Sequence, residues 1–448
     1  MNFTHRLIHH AMEFIPSRED LQATRVFVLD ALGTGLSGTH ISYAKVLAEQ
    51  ARHWHGDGAA CLIGHQQSLS RDGAALVNGY LIHNQEYDCV HERAIVHPMG
   101  VILGVLLAHG DVEELTGAEL VDAVACGVEV AISIGLVART PLKFYRQGMA
   151  AALGATAALG KLKRLDADGV TSAMGLCYSQ LSGTMQAHAE GSPMLPMQMG
   201  FNARAVLNAV DLALAGIPGP KEFLEGRYGY FNLMEIAWHQ ADAEAALEGG
   251  HWIQELSHKP FPTGRATHAV IDALSELKAQ HDFACAEVVA INVAGPPLVV
   301  QLGGRPVEEG MAPNYARLCL GYVAASALME DGVAPRDFYP DRLADPARLE
   351  LARKLRLSVD SNPDENALAP VTVTIELNNG QQHTQTIAIM RGHPQNPLTS
   401  EAYLQKFRRG AASAAQPLET EQLETLMATV QTLETLPDTK MLTQLLTP

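Results

Sequence analysis

The residues best suited to acid–base chemistry lie in a short polar stretch between two apolar segments. Residues 83–91 read HNQEYDCVH and are followed by His97-Pro98, so Glu86, Asp88 and three histidines are close in sequence. Carboxylates and imidazoles held between buried helices can have shifted pKa values suited to proton transfer. A polar loop with hydrogen-bonded histidines would give the same pattern, and the sequence alone leaves both interpretations open.

A metal site is a third interpretation of this stretch. His83, Glu86 and His91 lack the i, i+4 histidine pair that helical zinc sites use. Six cysteines are scattered along the chain without a C-x-x-C pair, which is not the pattern of a zinc ribbon, a clustered iron–sulfur site or a disulfide framework. The sequence therefore predicts neither a metal nor another cofactor.

A second cluster brings cations to a proline-rich turn. Residues 259–268 read KPFPTGRATH and contain Lys259, Arg265 and His268. Two cations and an imidazole at a junction between structural units would suit a carboxylate ligand. A solvated linker between two domains is the alternative.

A third cluster, KFYRQ at 143–147, separates two apolar segments. It contains Tyr145 and Arg146. Taken alone, the cluster is typical of a helix-connecting loop whose arginine reaches solvent. A phenol beside a guanidinium could also carry a proton, provided that nearby cations lower the pKa of the phenol.

Helices must position the first and third clusters. Residues 1–265 read as successive helices, with an N-cap predicted at Ser17 and a T-x-x-E capping box at Thr116. Residues 118–138 are apolar on nearly every face, which predicts a buried central helix. Residues 418–436 predict a C-terminal helix, so we expect residues 397–448 to return to the helical domain.

The periodicity changes after Pro262. One more amphipathic helix is predicted at 265–280, and Asn379-Gly380 indicates a hairpin turn. Helices are predicted at 313–331 and 346–354. These features predict a smaller α+β domain over residues 266–396. Its strands are predicted, from period-two alternation, at 287–295, 355–361, 371–379 and 383–390.

Charge and hydropathy exclude several classes of partner. The formal net charge is −17, which disfavours binding to nucleic acids and to anionic membranes. The first residues, MNFTHRLIHHAMEF, contain His and Glu where a signal peptide would be apolar. The most apolar long segment, 118–137, contains three acidic residues, so no membrane span is predicted. We expect a soluble cytoplasmic protein.

Three segments together resemble one known family. Residues 76–98 are similar to an A-x-x-N-G-x-x-x-H stretch that leads into a D-x-D-D run and a His-Pro pair. Residues 257–274 closely resemble a K-P-[YF]-P-x-x-R-x-T-H-x-x-I-D-A motif, and residues 216–234 a G-F-T-G-P-x-x-x-L-E-G-x-x-G-F-F motif. Over nearly its whole length, the chain therefore resembles the MmgE/PrpD family.

The resemblance implies a large all-α bundle domain plus a smaller α+β domain, a homodimer, and an active site in the cleft between the domains. It also implies metal-independent proton chemistry next to a carboxylate of a small polycarboxylate substrate. By position, Glu86 matches the first catalytic acid, His97 the histidine of the His-Pro pair, and Lys259 the lysine of its motif. Arg265 and His268 match as well.

The chain also departs from the family pattern. Cys89 replaces an acid of the D-x-D-D run, and Val90 replaces a common threonine. Tyr145 stands where dehydratases and decarboxylases have the histidine of G-F-H-P-T. Residues 195–200, LPMQMG, lack both the lysine and the histidine of K-x-x-H-x-G. These departures predict a changed reaction on a retained scaffold.

Among the family's activities, epimerisation of an iminodisuccinate-like tetracarboxylate fits these changes best. It needs a base, a proton donor and cations on the carboxylates, with Arg146 and Lys259 lowering the pKa of Tyr145. A dehydratase of the 2-methylcitrate type and a catalytically silent polycarboxylate-binding protein are the alternatives. The predicted catalytic residues are Glu86, His97, Tyr145 and Lys259, and the predicted substrate-binding residues are Asp88, His91, Arg146, Gln198, Arg265 and His268.

Overall fold

Helices make up the first part of the chain. The structure is a computed structural model that describes residues 2–138, 142–235, 237–330, 332–364 and 366–448, apart from the side chain of Ser42. The helices of this part are α1 (Phe3–Glu13), α2 (Arg18–Gly38), α3 (Ser42–His55), α4 (Arg71–His83), α5 (Pro98–Gly110), α6 (Gly117–Val137), α7 (Arg146–Leu162), α8 (Ala167–Tyr178), α9 (Gln186–Glu190), α10 (Met194–Leu214), α11 (Tyr230–Met234) and α12 (Gln240–Gly249).

Side-chain caps start two of these helices where the sequence predicts them. The Ser17 hydroxyl accepts a hydrogen bond from the backbone N–H of Asp20, whose carboxylate in turn accepts from the backbone N–H of Ser17. Thr116 and Glu119 form the same reciprocal capping box at the start of α6. Both predicted helix starts are confirmed, because each cap satisfies N–H groups that the first turn leaves free.

Helix α6 lies at the centre of the helical part. It is the one helix in the described part of the chain that is long and apolar enough to cross a membrane, and nearly all of it is buried inside the protein. Its buried carboxylate, Glu129, accepts from His10 Nε2 at 2.9 Å and from the backbone N–H of Trp252 at 3.0 Å. These partners lie within the protein and satisfy the one charge buried along the helix interior.

The strands fall close to the predicted positions. A mixed four-stranded sheet has the order β4-β3-β5-β6, with β3 and β4 parallel and the other pairs antiparallel. The β5–β6 turn contains Gly380 at φ +84°, a left-handed conformation that favours glycine, so the predicted hairpin is confirmed. The strands are β1 (Asp57–Cys61), β2 (Ser68–Leu69), β3 (Val288–Gly295), β4 (Leu355–Val359), β5 (Val371–Leu377) and β6 (Gln382–Ile387).

Short helices surround this sheet. The helix predicted over 313–331 is wrong as a single element, since it divides at Arg317, whose carbonyl accepts from the backbone N–H of Gly264 instead of continuing the helix. A small hairpin, β1–β2, was not predicted. The helices of the second part are α13 (His268–Gln280), α14 (Pro297–Gly303), α15 (Pro313–Ala316), α16 (Leu320–Met329), α17 (Pro340–Leu343) and α18 (Pro346–Ala352).

The last helices pack back onto the first part. Buried side chains of 407–446 join the hydrophobic cluster formed by residues 3–256, whereas residues 261–390 build a second cluster. Lys406 donates hydrogen bonds to the Asp30 carboxylate in α2 and to the carbonyl oxygen of Tyr87. The predicted class, a helical domain plus an α+β domain, is confirmed, while its boundaries stay a prediction. The helices are α19 (Ser400–Ala412), α20 (Thr420–Gln431) and α21 (Lys440–Gln444).

Candidate active site

A cavity lies where the two hydrophobic clusters meet. Its volume is about 610 Å³ when the open space at its mouth is included. The loop 86–95 and the ends of helices line it on one side, and residues of the α+β part line it on the other. The described residues that line it are His83, Glu86, Val90, Glu92, Ile95, His97, Tyr145, Gln147, His188, Leu195, Gly264, Arg265, Ala266, Thr267, Leu298, Leu302, Leu318 and Leu368.

Three helix ends bring the titratable side chains together. His83 is the last residue of α4, His97 caps the start of α5, and Tyr145 caps the start of α7. Helices α4 and α5 can approach closely because a Cβ at Gly104 would lie only 2.9 Å from the backbone nitrogen of Gly79. The rings of His83 and His97 are consequently 4.8 Å apart.

Hydrogen bonds link Tyr145, His83 and Asp88, and a longer contact reaches His97. The Tyr145 hydroxyl lies 2.7 Å from His83 Nε2, and His83 Nδ1 lies 2.9 Å from Asp88 Oδ1. The other Asp88 oxygen is 3.4 Å from His97 Nδ1. All four side chains are buried, so their interactions are only weakly screened by solvent.

The neighbouring carboxylates favour the charged form of His83. Burial alone would lower the pKa of His83, but the neighbouring Asp88 and Glu86 carboxylates raise it above its usual value. The pKa of Asp88 lies well below its usual value, because the attraction of His83 and His97 outweighs the cost of burial. A protonated His83 donates from Nδ1 to Asp88 and from Nε2 to the Tyr145 oxygen, which leaves the phenol proton free for a ligand.

The remaining two groups stay uncharged. Burial lowers the pKa of His97, with a further contribution from Lys259, so its imidazole is neutral at neutral pH. Burial and the Glu86 and Asp88 carboxylates raise the pKa of Tyr145 well above its usual value. The expectation that Arg146 and Lys259 lower the pKa of this phenol is therefore wrong: carboxylates surround it more closely than cations do. At neutral pH Tyr145 therefore carries a proton that it can donate, and His97 has a free ring nitrogen that can accept one.

Lys259 and Glu86 form a pair at the same end of the cavity. Lys259 Nζ donates to Glu86 Oε2 at 3.0 Å and is fully buried. Burial would raise the pKa of Glu86, but Lys259, His83 and His97 lower it to about 2. Glu86 adopts φ +53°, an unfavourable backbone conformation for a residue with a side chain, and such strain is common at functional sites. The carboxylate stays ionised and cannot act as a general acid at neutral pH.

Arg265 lines the cavity, as predicted, but is already paired. Its Nε donates to Glu92 Oε1 at 2.8 Å, and its Nη1 donates to the carbonyl oxygen of Arg391 at 2.9 Å. His268 Nδ1 lies 3.3 Å from Arg265 Nη1, and His268 itself is not among the described lining residues. Burial, followed by Arg265 and Lys259, keeps the pKa of His268 well below its usual value. His268 therefore orients Arg265 instead of binding a ligand.

Arg146 does not line the cavity, contrary to the prediction that it binds substrate. Its guanidinium makes a two-pronged ion pair with Glu235, at 2.9 Å from Nε and 2.6 Å from Nη2. Tyr230 donates to the same carboxylate at 3.0 Å. Both charged side chains are almost completely buried, so the pair anchors the start of α7 next to Tyr145.

Replacing Arg146 with methionine should destabilise the fold strongly, because Glu235 would be left buried without its counter-charge. We expect the free energy of unfolding to fall by about 3–5 kcal/mol. Chemical denaturation followed by circular dichroism measures the change. The double variant R146M/E235L serves as the control and should recover much of the loss. Equal stability of R146M and the natural protein would contradict the assignment.

Asp88, predicted to bind substrate, lies behind His83 and His97 and is not among the described lining residues. Two further predicted ligand-binding residues support loops instead. His91 Nδ1 accepts from the backbone N–H of Ala94 at 3.1 Å. Gln198 accepts from the backbone N–H of Thr184 at 2.7 Å. The preceding residue, Gly183, accepts a hydrogen bond from the backbone N–H of Tyr145. Their predicted substrate contacts are corrected to roles in positioning.

Five of the described polar lining residues were not predicted, namely His83, Glu92, Gln147, His188 and Thr267. His83 drew attention only through its spacing to other histidines, since a histidine at the end of an apolar helix is usually a core residue. Glu92 faces Arg265 from the polar stretch. His188, on α9, has a pKa lowered to about 4 by burial and by Arg305, which donates to its carbonyl oxygen at 2.8 Å. Nothing in the sequence around His188 signalled a site.

His83, Asp88 and His97 form one group that could hold a metal ion, with ligand atoms within 4.8 Å of one another. Both nitrogens of His83 are already used, by Asp88 and by Tyr145. Only one Asp88 oxygen and His97 Nδ1 remain for an ion, fewer than the three protein ligands of a typical catalytic zinc site. The donor set therefore fits a proton-transfer network better than a metal site.

Activity should survive extended dialysis against a chelator, because the network needs no ion to hold its geometry. Turnover before and after dialysis, with elemental analysis of the dialysed protein, measures this. Carbonic anhydrase treated in parallel is the control for effective metal removal. Loss of turnover that returns on adding Zn²⁺ would contradict metal independence.

Comparison with known proteins agrees with the fold. The models of the MmgE/PrpD N-terminal domain and C-terminal domain match residues 5–282 and 261–432. The chain therefore belongs to the MmgE/PrpD family. Cis-aconitate decarboxylase of Homo sapiens is 27% identical over 446 residues, covering 95% of this chain and 90% of the relative.

Two fungal relatives are similar over comparable lengths. Cis-aconitate decarboxylase of Aspergillus terreus (strain NIH 2624 / FGSC A1156) is 26% identical, covering 94% of this chain and 91% of the relative. The cis-aconitate decarboxylase-like protein oryM of Aspergillus oryzae is 25% identical, covering 98% and 95%. The family members it resembles here are enzymes of the lyase class, and an isomerase is not among these relatives.

Proposed function

We propose that the chain is a lyase that acts on a small polycarboxylate, removing carbon dioxide or water by proton transfer. One observation carries the proposal: the imidazole of His97 and the phenol of Tyr145 flank His83 at one cavity. Relatives named as decarboxylases over nearly the full chain favour a lyase over the epimerase that the sequence suggested.

The cations beside the cavity would orient the carboxylate groups. Lys259 and Arg265 each keep one acidic partner and have further N–H donors for a ligand. Binding holds the reacting carbon next to the acid and the base, so that the proton transfers occur within one complex. Both cations come from the stretch 259–268, which joins the helical part to the α+β part.

The acid–base pair serves either elimination. In dehydration, His97 takes the proton from carbon, the C–O bond breaks, and the Tyr145 proton leaves with hydroxide as water. In decarboxylation, the C–C bond to the departing carboxylate breaks, and Tyr145 delivers its proton to the carbon that keeps the electron pair. The protonated His83, which donates to the phenol oxygen, stabilises the phenolate that remains.

Epimerisation of an iminodisuccinate-like substrate is the second candidate. The presence of two distinct proton-carrying groups, joined through His83, favours it, since one group can remove a proton and the other can return it on the opposite face. Epimerisation uses the same residues and requires no leaving group.

Proton NMR in deuterated water separates these functions. The protein is incubated with cis-aconitate, citrate, 2-methylcitrate, iminodisuccinate and 3-isobutylmalate, a dicarboxylate with an aliphatic branch, and the α-protons and new alkene signals are followed. An alkene or loss of carbon dioxide supports the lyase. Exchange at carbon without a new alkene supports the epimerase. Tyr145→Phe, prepared identically, controls for contaminating enzymes, and the absence of any reaction across the panel would contradict both candidates.

A further inference from the structure

The lining of the cavity is partly polar and partly apolar. Its polar residues include His83, His97, Tyr145 and Arg265. Aliphatic side chains from both parts of the chain make up much of the remainder, and they are called the apolar wall. These side chains are Val90, Ile95, Leu195, Leu298, Leu302, Leu318 and Leu368.

Few positive charges near the cavity are available to bind ligand carboxylates. Arg265 is the one lysine or arginine among the described residues that line the cavity, and it is already bound to Glu92. Lys259, next to the cavity, is already bound to Glu86. Two cations that each share their charge with an acidic side chain can hold two ligand carboxylates, whereas a third would lie against aliphatic carbon. A charged group without a partner in such a place is strongly disfavoured.

Position 195 is a place where a third ligand carboxylate would find no counter-charge. Leu195, on α10, is almost fully buried and lines the cavity, as Tyr145 does. The motif that residues 195–200 resemble carries a lysine in this region, and in this chain there is none. An aliphatic group of the ligand would be favourable here, because it removes apolar surface from water.

We propose that the natural substrate is a dicarboxylate that carries an aliphatic branch in the position where a tricarboxylate would carry its third carboxylate. The two carboxylates contact Lys259 and Arg265, and the branch packs against Leu195 and the leucines of α14. This inference rests on the proposed function for the reaction, but it concerns recognition and can be tested without turnover.

Two unreactive ligands of the same shape test the inference. Isobutylsuccinate and tricarballylate share a succinate core, and they differ in whether the third branch ends in two methyl groups or in a carboxylate. Titration calorimetry at neutral pH should show that isobutylsuccinate binds at least about tenfold more tightly. Equal affinity, tighter binding of tricarballylate, or no binding of either ligand would overturn the inference.

Charge introduced into the wall should reverse the preference. Leu195→Lys places an ammonium where the branch would lie, so tricarballylate should gain affinity and isobutylsuccinate should lose it. Leu302→Lys, at a half-buried position on α14, is the second variant in case the first does not fold. Leu195→Met is the matched control and should keep the original preference. An unchanged preference in both folded lysine variants would also overturn the inference.

These binding experiments can fail or succeed independently of the experiments that test the proposed reaction. Binding that prefers isobutylsuccinate, with no turnover of any dicarboxylate bearing an aliphatic branch, contradicts the proposed reaction and leaves the ligand class standing. Turnover of tricarboxylates with tight binding of tricarballylate supports the reaction and overturns the ligand class.

Discussion

Replacing Asp88 with asparagine should lower kcat by about 10,000-fold, the effect typical of removing the carboxylate that orients a catalytic histidine. Asp88 contacts both His83 and His97, and its charge is the strongest influence that raises the pKa of His83. The amide has nearly the same shape, but it no longer favours the protonated imidazole. Initial rates under substrate saturation measure the loss.

The pH profile of this variant separates the chemical effect from simple misfolding. In the natural protein, activity that needs protonated His83 is present at low pH and is lost as pH rises through the raised pKa of that histidine. Asp88→Asn lowers this pKa, so the alkaline limb should move to lower pH. Asp111→Asn, a buried carboxylate at the far end of α5, is the matched control and should keep the natural profile. A profile that does not move would argue against the relay.

Replacing Tyr145 with phenylalanine should lower kcat by about 100- to 10,000-fold, the usual contribution of a general acid. The ring and its packing remain, and only the hydroxyl that contacts His83 is lost. Because the pKa of this phenol is well above its usual value, no loss of activity from its ionisation is expected below about pH 10 in the natural protein.

Tyr80→Phe is the control for the loss of a buried hydroxyl. Tyr80 is fully buried on α4, the helix that ends in His83, and it is not among the described cavity-lining residues. Its kcat should stay close to that of the natural protein. Near-natural turnover in Tyr145→Phe would remove the phenol from the mechanism and leave His97 with Lys259 as the proton-carrying pair.

The sequence predicts the fold well because its signals are local. Alternation with period two identifies the strands, and the polar caps of Ser17 and Thr116 mark helix starts, since each signal depends on residues only a few positions apart. The single helix predicted over 313–331 fails for a non-local reason: the carbonyl of Arg317 bonds to Gly264, a residue 53 positions earlier. No pattern within 313–331 reveals that partner.

The site is predicted in composition but not in the roles of its members. Motifs locate His97, Tyr145 and Lys259, which lie at or beside one cavity. Arg146 was misassigned because its partner, Glu235, is 89 positions away and its cluster alone cannot reveal an ion pair. The direction of the Tyr145 pKa shift likewise depends on carboxylates about 60 residues earlier in the chain.

The contact of Lys406 with Asp30 and with the carbonyl of Tyr87 joins parts of the chain more than 300 residues apart. During synthesis, Asp30 lacks its cation and the loop that carries Glu86 lacks its contact with Lys406 until α19 has left the ribosome. Contacts of such sequence separation form late and slow folding. A nascent chain that ends before residue 400 should therefore keep the contacts of this loop with Lys259 and Arg265 but lack its final anchor, so the catalytic loop should be less well ordered than in the full chain.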